Sequence, residues 1–272
     1  MSENLRITLI QTSLHWENVP VNLKMFTDKI AAIEKTDLII LPEMFSTGFS
    51  MNAEALAEDM NGSAVQWMKR TAEAKGCVLC GSLLIKEGDQ FFNRLVWMQP
   101  DGAFELYDKR HLFSLSTEPQ IFTAGNERLI VTLKGWKICP MVCYDLRFPV
   151  WARNTINAET DQPAYDLLVY VANWPEQRNF AWKSLLVARA IENQAYVAGV
   201  NRIGQDITGI NHSGDTMVLD AVGSTLYTKE HTEDIFTLEL DFEALQKIRE
   251  RLPFLKSADE FELNNKKKIK SH

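Results

Sequence analysis

Apolar runs that do not alternate are what most constrain this fold. Leu38-Ile39-Ile40-Leu41, Cys77-Val78-Leu79-Cys80-Gly81-Ser82-Leu83-Leu84-Ile85 and Leu167–Ala172 stay largely apolar on consecutive positions. A strand with one wet face alternates apolar and polar side chains, whereas a strand covered on both faces need not. Such runs demand material packed on both sides of their sheets.

Further strands are expected over Leu5–Gln11, 91–98, 103–107, 129–133, Trp136–Val142, Tyr196–Asn201, 216–219 and 235–240. Lys86-Glu87-Gly88-Asp89-Gln90 reads as a hairpin connection, and Pro100-Asp101-Gly102 as a turn. Helical patterns lie between the strands. Over residues 21–33, Leu23, Phe26, Ile30 and Ile33 recur at spacings of three and four, which makes one buried face. Other helices are expected over 64–75, 149–157 (Pro149 in its first turn), Asn179–Asn193 and 242–250. Strand–helix–strand order over 5–41 and 136–201 predicts parallel crossovers, and the hairpins predict mixed sheets. No linker, repeat or low-complexity block interrupts residues 5–255. One α/β domain with more than one sheet is the economical reading.

Composition excludes several classes of function. The 29 basic and 36 acidic residues give a net charge of −7, which argues against nucleic acid or an anionic membrane as partner. No apolar stretch approaches the about 20 residues of a membrane span. Met1-Ser2-Glu3-Asn4-Leu5-Arg6 lacks the basic and apolar regions of a secretory signal, and four cysteines in such a chain suggest reduced thiols. A cytoplasmic protein is expected. Cys77 and Cys80 lie three apart in a strand-like run, so they point to opposite faces and cannot share a metal. The five histidines show no ligand spacing, and no metal site is expected.

Three ionisable residues share one kind of location. Glu43, Lys109 and Cys143 each stand just past the carboxyl end of a predicted strand, where open α/β sheets form ligand crevices. Their chemistry is complementary. A thiol needs a base to become a nucleophile, a carboxylate in a buried place can serve, and an acyl transfer builds an oxyanion that an ammonium can stabilise. Three unrelated loop residues would fit the spacing too.

The flanking residues add information. Leu41-Pro42-Glu43-Met44-Phe45, Tyr107-Asp108-Lys109-Arg110-His111-Leu112-Phe113 and Val142-Cys143-Tyr144-Asp145-Leu146-Arg147-Phe148-Pro149 resemble, in order, the three motifs of the nitrilase (carbon–nitrogen hydrolase) superfamily. Ala188-Arg189-Ala190-Ile191-Glu192-Asn193-Gln194, Asn211-His212-Ser213 and Gly223 extend the likeness over about residues 5–261. The resemblance implies a four-layer αββα sandwich with two mixed central sheets. Residues 1–265 would be a single carbon–nitrogen hydrolase domain, and 266–272 a basic, disordered tail. It also implies Glu43 as general base, Lys109 as transition-state stabiliser and Cys143 as nucleophile. Glu118 would be a further active-site glutamate and the Tyr144 backbone N–H a second oxyanion donor. Neither metal nor organic cofactor is implied, and relatives of this kind form homodimers or higher homo-oligomers.

Ala172-Asn173-Trp174-Pro175 and the segment 252–259 look most like the omega-amidase branch, whose members act on 2-oxo acid amides such as 2-oxoglutaramate. N-carbamoyl amino acid amidohydrolase, nitrilase and a non-catalytic binding protein are the alternatives. Two departures bear on local geometry. Asp108 stands where arginine is common, and Pro140 inside the nucleophile strand calls for an edge or a bulge. Arg147 and Arg178 are candidates for gripping a substrate carboxylate, and Phe45 and Trp174 for walling the pocket. His111 reads as a scaffold residue, and Arg189 with Glu192 as an ion pair on one helix face.

Overall fold

The computed structural model describes residues 3–157, 159–259, 261 and 263. The basic segment 266–272 lies outside the described residues. Two large sheets stack face to face. The first runs in the order Asp234–Leu240, Leu5–Gln11, Leu38–Ile40, Val78–Glu87, Gln90–Met98, Phe104–Asp108. The second runs Ile203–Gln205, Asn211–Leu219, Tyr196–Asn201, Leu167–Ala172, Trp136–Val142, Val131–Leu133, with Thr225–Glu230 also on Asn211–Leu219. Both mix parallel and antiparallel pairs, as expected from crossovers joined to hairpins.

Side-chain alternation explains the layers. Leu5, Ile7, Leu9, Leu38, Ile40, Cys80 and Trp97 face the second sheet and share one core with Ile138, Leu168 and Val197. Their neighbours Ile10, Ile39, Leu41, Leu79, Val96 and Met98 face outward, into a second core under the helices Val19–Ala31 and Ser63–Lys75. This explains the unbroken apolar runs: both faces of each strand are covered. Helix Asn179–Asn193 covers the far side of the second sheet, packed closely at Gly199. A Cβ there would sit 2.6 Å from the Leu186 side chain. The result is the expected αββα sandwich. Cys77 and Cys80 are buried free thiols in different cores, on opposite faces as their spacing requires.

Some elements differ from the sequence reading. The helix expected over 149–157 ends at Ala152, because Ile156–Asn157 pairs with Gln162–Pro163 as a small hairpin. The strand expected over 216–219 begins at Asn211, and Thr225–Glu230 was not anticipated. Pro140 sits at an edge and not at a bulge: its outer neighbour Val131–Leu133 reaches only to Ile138. Asp108 has its own partner. It lies opposite Arg94 across the antiparallel pair and takes a two-pronged ion pair from it, at 2.7 and 2.9 Å.

Candidate active site

Four strand ends of the two sheets deliver one cluster. Glu43 follows Leu38–Ile40, Lys109 follows Phe104–Asp108, Cys143 follows Trp136–Val142, and Asn173 follows Leu167–Ala172. All four line a single cavity of about 470 Å³ together with Phe49, Phe113, Tyr144, Trp174, Arg178 and Arg202.

Cys143 sits where a strand breaks into a short 3-10 turn, Cys143–Arg147, and its backbone takes φ = 44°. A non-glycine residue in the left-handed region costs of the order of 1–3 kcal/mol and is kept only where its surroundings impose it. Here the surroundings are clear. The buried Asp145 carboxylate accepts from the backbone N–H of His111 and Val142, from the Tyr107 hydroxyl at 2.7 Å and pairs with His111 Nδ1 at 2.8 Å. The Arg189 guanidinium donates to the Leu146 carbonyl at 2.6 Å while pairing with Glu192 at 2.8 Å. His111 also stacks on Phe148 at 3.7 Å, in keeping with a scaffold role. The backbone N–H of Tyr144 stands in the first turn of the helix, where amide donors have no intrahelical acceptor.

Glu43 is fully buried, and so are Glu118 and, but for 1% of its surface, Lys109. Lys109 Nζ bridges the two carboxylates, at 2.9 Å from Glu43 Oε1 and 3.0 Å from Glu118 Oε1. Asn93 Nδ2 reaches both as well, at 2.8 and 3.3 Å. The other Glu43 oxygen accepts the Asn173 backbone N–H at 2.8 Å, while the Asn173 side chain holds the Glu43 carbonyl. The Phe113 N–H donates to Glu118. Burial opposes charge on Lys109, but the Glu118 and Glu43 carboxylates more than reverse this and hold the ammonium charged. Burial raises the Glu118 carboxyl above its ordinary range. Burial, and next the Glu43 charge, push the Cys143 thiol well above its usual value, against the pull of Lys109. The resting thiol therefore keeps its proton. A thiolate would add a second net negative charge beside two carboxylates and one ammonium, so the proton must leave as the sulfur attacks.

Glu43, Lys109 and Cys143 stand together in one cavity, Glu118 pairs with Lys109, and Trp174 and Arg178 line the cavity wall. Phe45, expected in the wall, and Arg147, expected to grip a substrate carboxylate, are not among the lining residues. Phe45 does not line the cavity; it packs edge-on to Phe26 at 5.5 Å and against Trp67 at 5.6 Å, in the outer core. The Arg147 guanidinium lies over the Trp174 ring at 4.8 Å. Asn93 and the Asn173 side chain were missed: Asn93 sits beside Arg94 inside a strand and Asn173 directly follows an apolar one, patterns that also fit solvated positions.

His212 also lines the cavity, and burial followed by the Arg202 charge lowers it to about 4. A histidine depressed below its unfolded value of 6.5 favours the fold above that pH and loses this contribution as pH falls toward 4. We expect the wild-type stability lost between about pH 6.5 and 4 to exceed that of His212→Gln by on the order of 3 kcal/mol. Parallel urea curves for the two proteins over that range would remove this assignment.

Among the described residues no His, Cys, Asp or Glu group could hold a metal ion, and no helix is long and apolar enough to cross a membrane. A buried thiol, a carboxylate that can take its proton and an ammonium that can meet a developing negative oxygen make a set suited to nucleophilic acyl transfer.

Known proteins resemble this chain in sequence and fold. The carbon-nitrogen hydrolase family model matches residues 6–250. The chain is 44% identical over 262 residues to omega-amidase YafV of Escherichia coli (strain K12), covering 95% of this chain and 98% of that one. It is 32% identical over 253 residues to 2-oxoglutaramate amidase of Bacillus subtilis (strain 168), covering 91% and 95%. The crystal structure of XC1258 from Xanthomonas campestris, a CN-hydrolase superfamily protein with an arsenic adduct in its active site, superposes with a TM-score of 0.94 at 42% identity, over 96% of this chain and all of that one. With the fold, the strand-end cluster and these likenesses in agreement, the chain belongs to the carbon–nitrogen hydrolase family of the nitrilase superfamily.

Proposed function

We propose that the protein is a cysteine-dependent omega-amidase, hydrolysing the terminal amide of a small 2-oxo dicarboxylic acid monoamide such as 2-oxoglutaramate. The observation that carries this reading is the Glu43–Lys109–Cys143 cluster, closed into one cavity with Arg178. The names of the relatives from Escherichia coli and Bacillus subtilis support the substrate class.

In this reading Glu43 takes the Cys143 proton as Sγ attacks the amide carbon. The carbonyl oxygen becomes an oxyanion held by Lys109 Nζ and the Tyr144 N–H. Glu43 passes its proton to the amide nitrogen, the C–N bond breaks and ammonia leaves a thioester. Water then gives a proton to Glu43 and attacks the thioester. The second oxyanion collapses, the C–S bond breaks, and Glu43 returns the proton to sulfur, freeing the 2-oxo acid. Glu118 and Asn93 hold Lys109 and Glu43 in place. Lys109→Arg is expected to lower kcat by roughly 100-fold or more, since the forked guanidinium cannot occupy the ammonium's place between two carboxylates. Turnover near wild type would make Lys109 a nearby charge only.

An ammonia-release panel tests the substrate class. The expected order is 2-oxoglutaramate first, then omega-amides lacking the 2-oxo group, with an N-carbamoyl amino acid and a nitrile far behind. Preference for either of the last two would replace the amidase reading. The same proposal takes residues 1–265 as one domain, working in the cytoplasm without a cofactor, as a homodimer or higher homo-oligomer. A strictly monomeric mass by light scattering would contradict the oligomer.

A further inference from the structure

One cation in the cavity has no part in the proton transfers. Arg202 follows strand Tyr196–Asn201, is 1% exposed, and lines the same cavity as Cys143. Arg94, Lys109, Arg189 and Arg249 are buried too, and each holds a carboxylate of the protein. Arg202 forms no ion pair among the described residues. Its Nε donates to the Ile203 carbonyl at 3.0 Å and its Nη2 to the Gln205 carbonyl at 3.3 Å, and no acceptor for Nη1 is found among the described residues.

The Asp206 charge favours the guanidinium, but the two form no ion pair among the described residues. Asp206 Oδ1 is spent on its own turn, accepting the N–H groups of Thr208 and Ile210 at 2.9 and 3.0 Å and the Thr208 hydroxyl at 2.7 Å. His212 stays neutral at ordinary pH, so it adds no second positive charge. A buried guanidinium outside an ion pair is costly, and an anion entering the cavity would offset that cost through charge-assisted hydrogen bonds. Arg178 also lines the cavity, but it is only half-buried and rests over the Phe113 ring at 5.2 Å.

We propose that Arg202 anchors the carboxylate of the substrate and thereby sets a preference for acid-bearing amides over neutral ones. This rests on the amidase reading of the same cavity. The test compares 2-oxoglutaramate with pentanamide, a neutral amide of equal chain length, in wild type, Arg202→Met and Arg202→Lys. For 2-oxoglutaramate, R202M should lose about 100-fold in kcat/KM, mostly as raised KM, with partial recovery in R202K. The pentanamide rate should change by less than about threefold, because that substrate has no anion to hold. Equal losses on both amides, or no loss, would overturn the anchor.

A second measurement covers failure of the substrate reading. Glutarate should slow iodoacetamide alkylation of Cys143 in wild type, while its neutral diamide should not. If wild type releases ammonia from neither amide, the amidase reading falls. Glutarate protection in wild type that is lost in R202M still supports the anion site, and protection equal in both, or absent, overturns it. If neither variant folds, equal protection of wild type by glutarate and its diamide overturns the site.

Discussion

Cys143→Ala is expected to fold normally and to lose ammonia release by roughly 10⁴-fold or more, since among the described residues no second thiol lines the cavity to replace its sulfur. The other three thiols cannot substitute. Cys77, Cys80 and Cys139 are buried within the cores and none lines the cavity. Removing sulfur from a site that is 8% exposed leaves only a small void, so the thermal midpoint should move little. Wild-type turnover by the alanine variant would show that water attacks the amide directly.

Glu43→Gln separates two effects that the wild-type site combines. Proton transfer disappears, so turnover should fall about a thousandfold. The charge next to Cys143 disappears too. That charge is the second cause, after burial, of the raised thiol, so its removal lowers the thiol pKa. Iodoacetamide alkylation of Cys143 should therefore titrate at lower pH in the variant than in wild type, while catalysis collapses. A more easily ionised thiol with poorer turnover is the signature of a lost general base. A thiol titration shifted upward or left in place would contradict the role given to Glu43. The variant should also lose stability, by about 1–3 kcal/mol. Lys109, Asn93 and the Asn173 N–H all donate to the two Glu43 oxygens, and a glutamine amide offers only one acceptor oxygen.

Parts of this account were open to a reader of the sequence, for identifiable reasons. The layered architecture followed from the apolar runs, because consecutive burial at Leu38–Ile40 or Leu167–Ala172 admits few arrangements. The positions of Glu43, Lys109 and Cys143 past strand ends could be read locally, but their meeting could not. Strand order within the first sheet brings Glu43 to Lys109 across 66 residues, and stacking of the second sheet adds Cys143. The resemblance to known motifs supplied that link. Phe45 shows the limit of reading by proximity: two residues from Glu43, it turns into the outer core against Phe26. Arg202 shows the converse. In sequence it is one more basic residue after a strand, and only its burial without an ion pair among the described residues marks it. Asn93 was hidden for a similar reason, since a polar residue inside a strand normally signals a wet face and here signals two buried carboxylates.

The central claim is that the amide carbon becomes bonded to Cys143 sulfur before water reaches it. Rapid acid quenching of enzyme turning over 2-oxoglutaramate, followed by peptide mass spectrometry, tests it directly. The expected result is a peptide containing Cys143 heavier by the substrate less ammonia and absent when the enzyme carries Cys143→Ala. Steady ammonia release from that variant, or an acyl group found only on another residue, would contradict it.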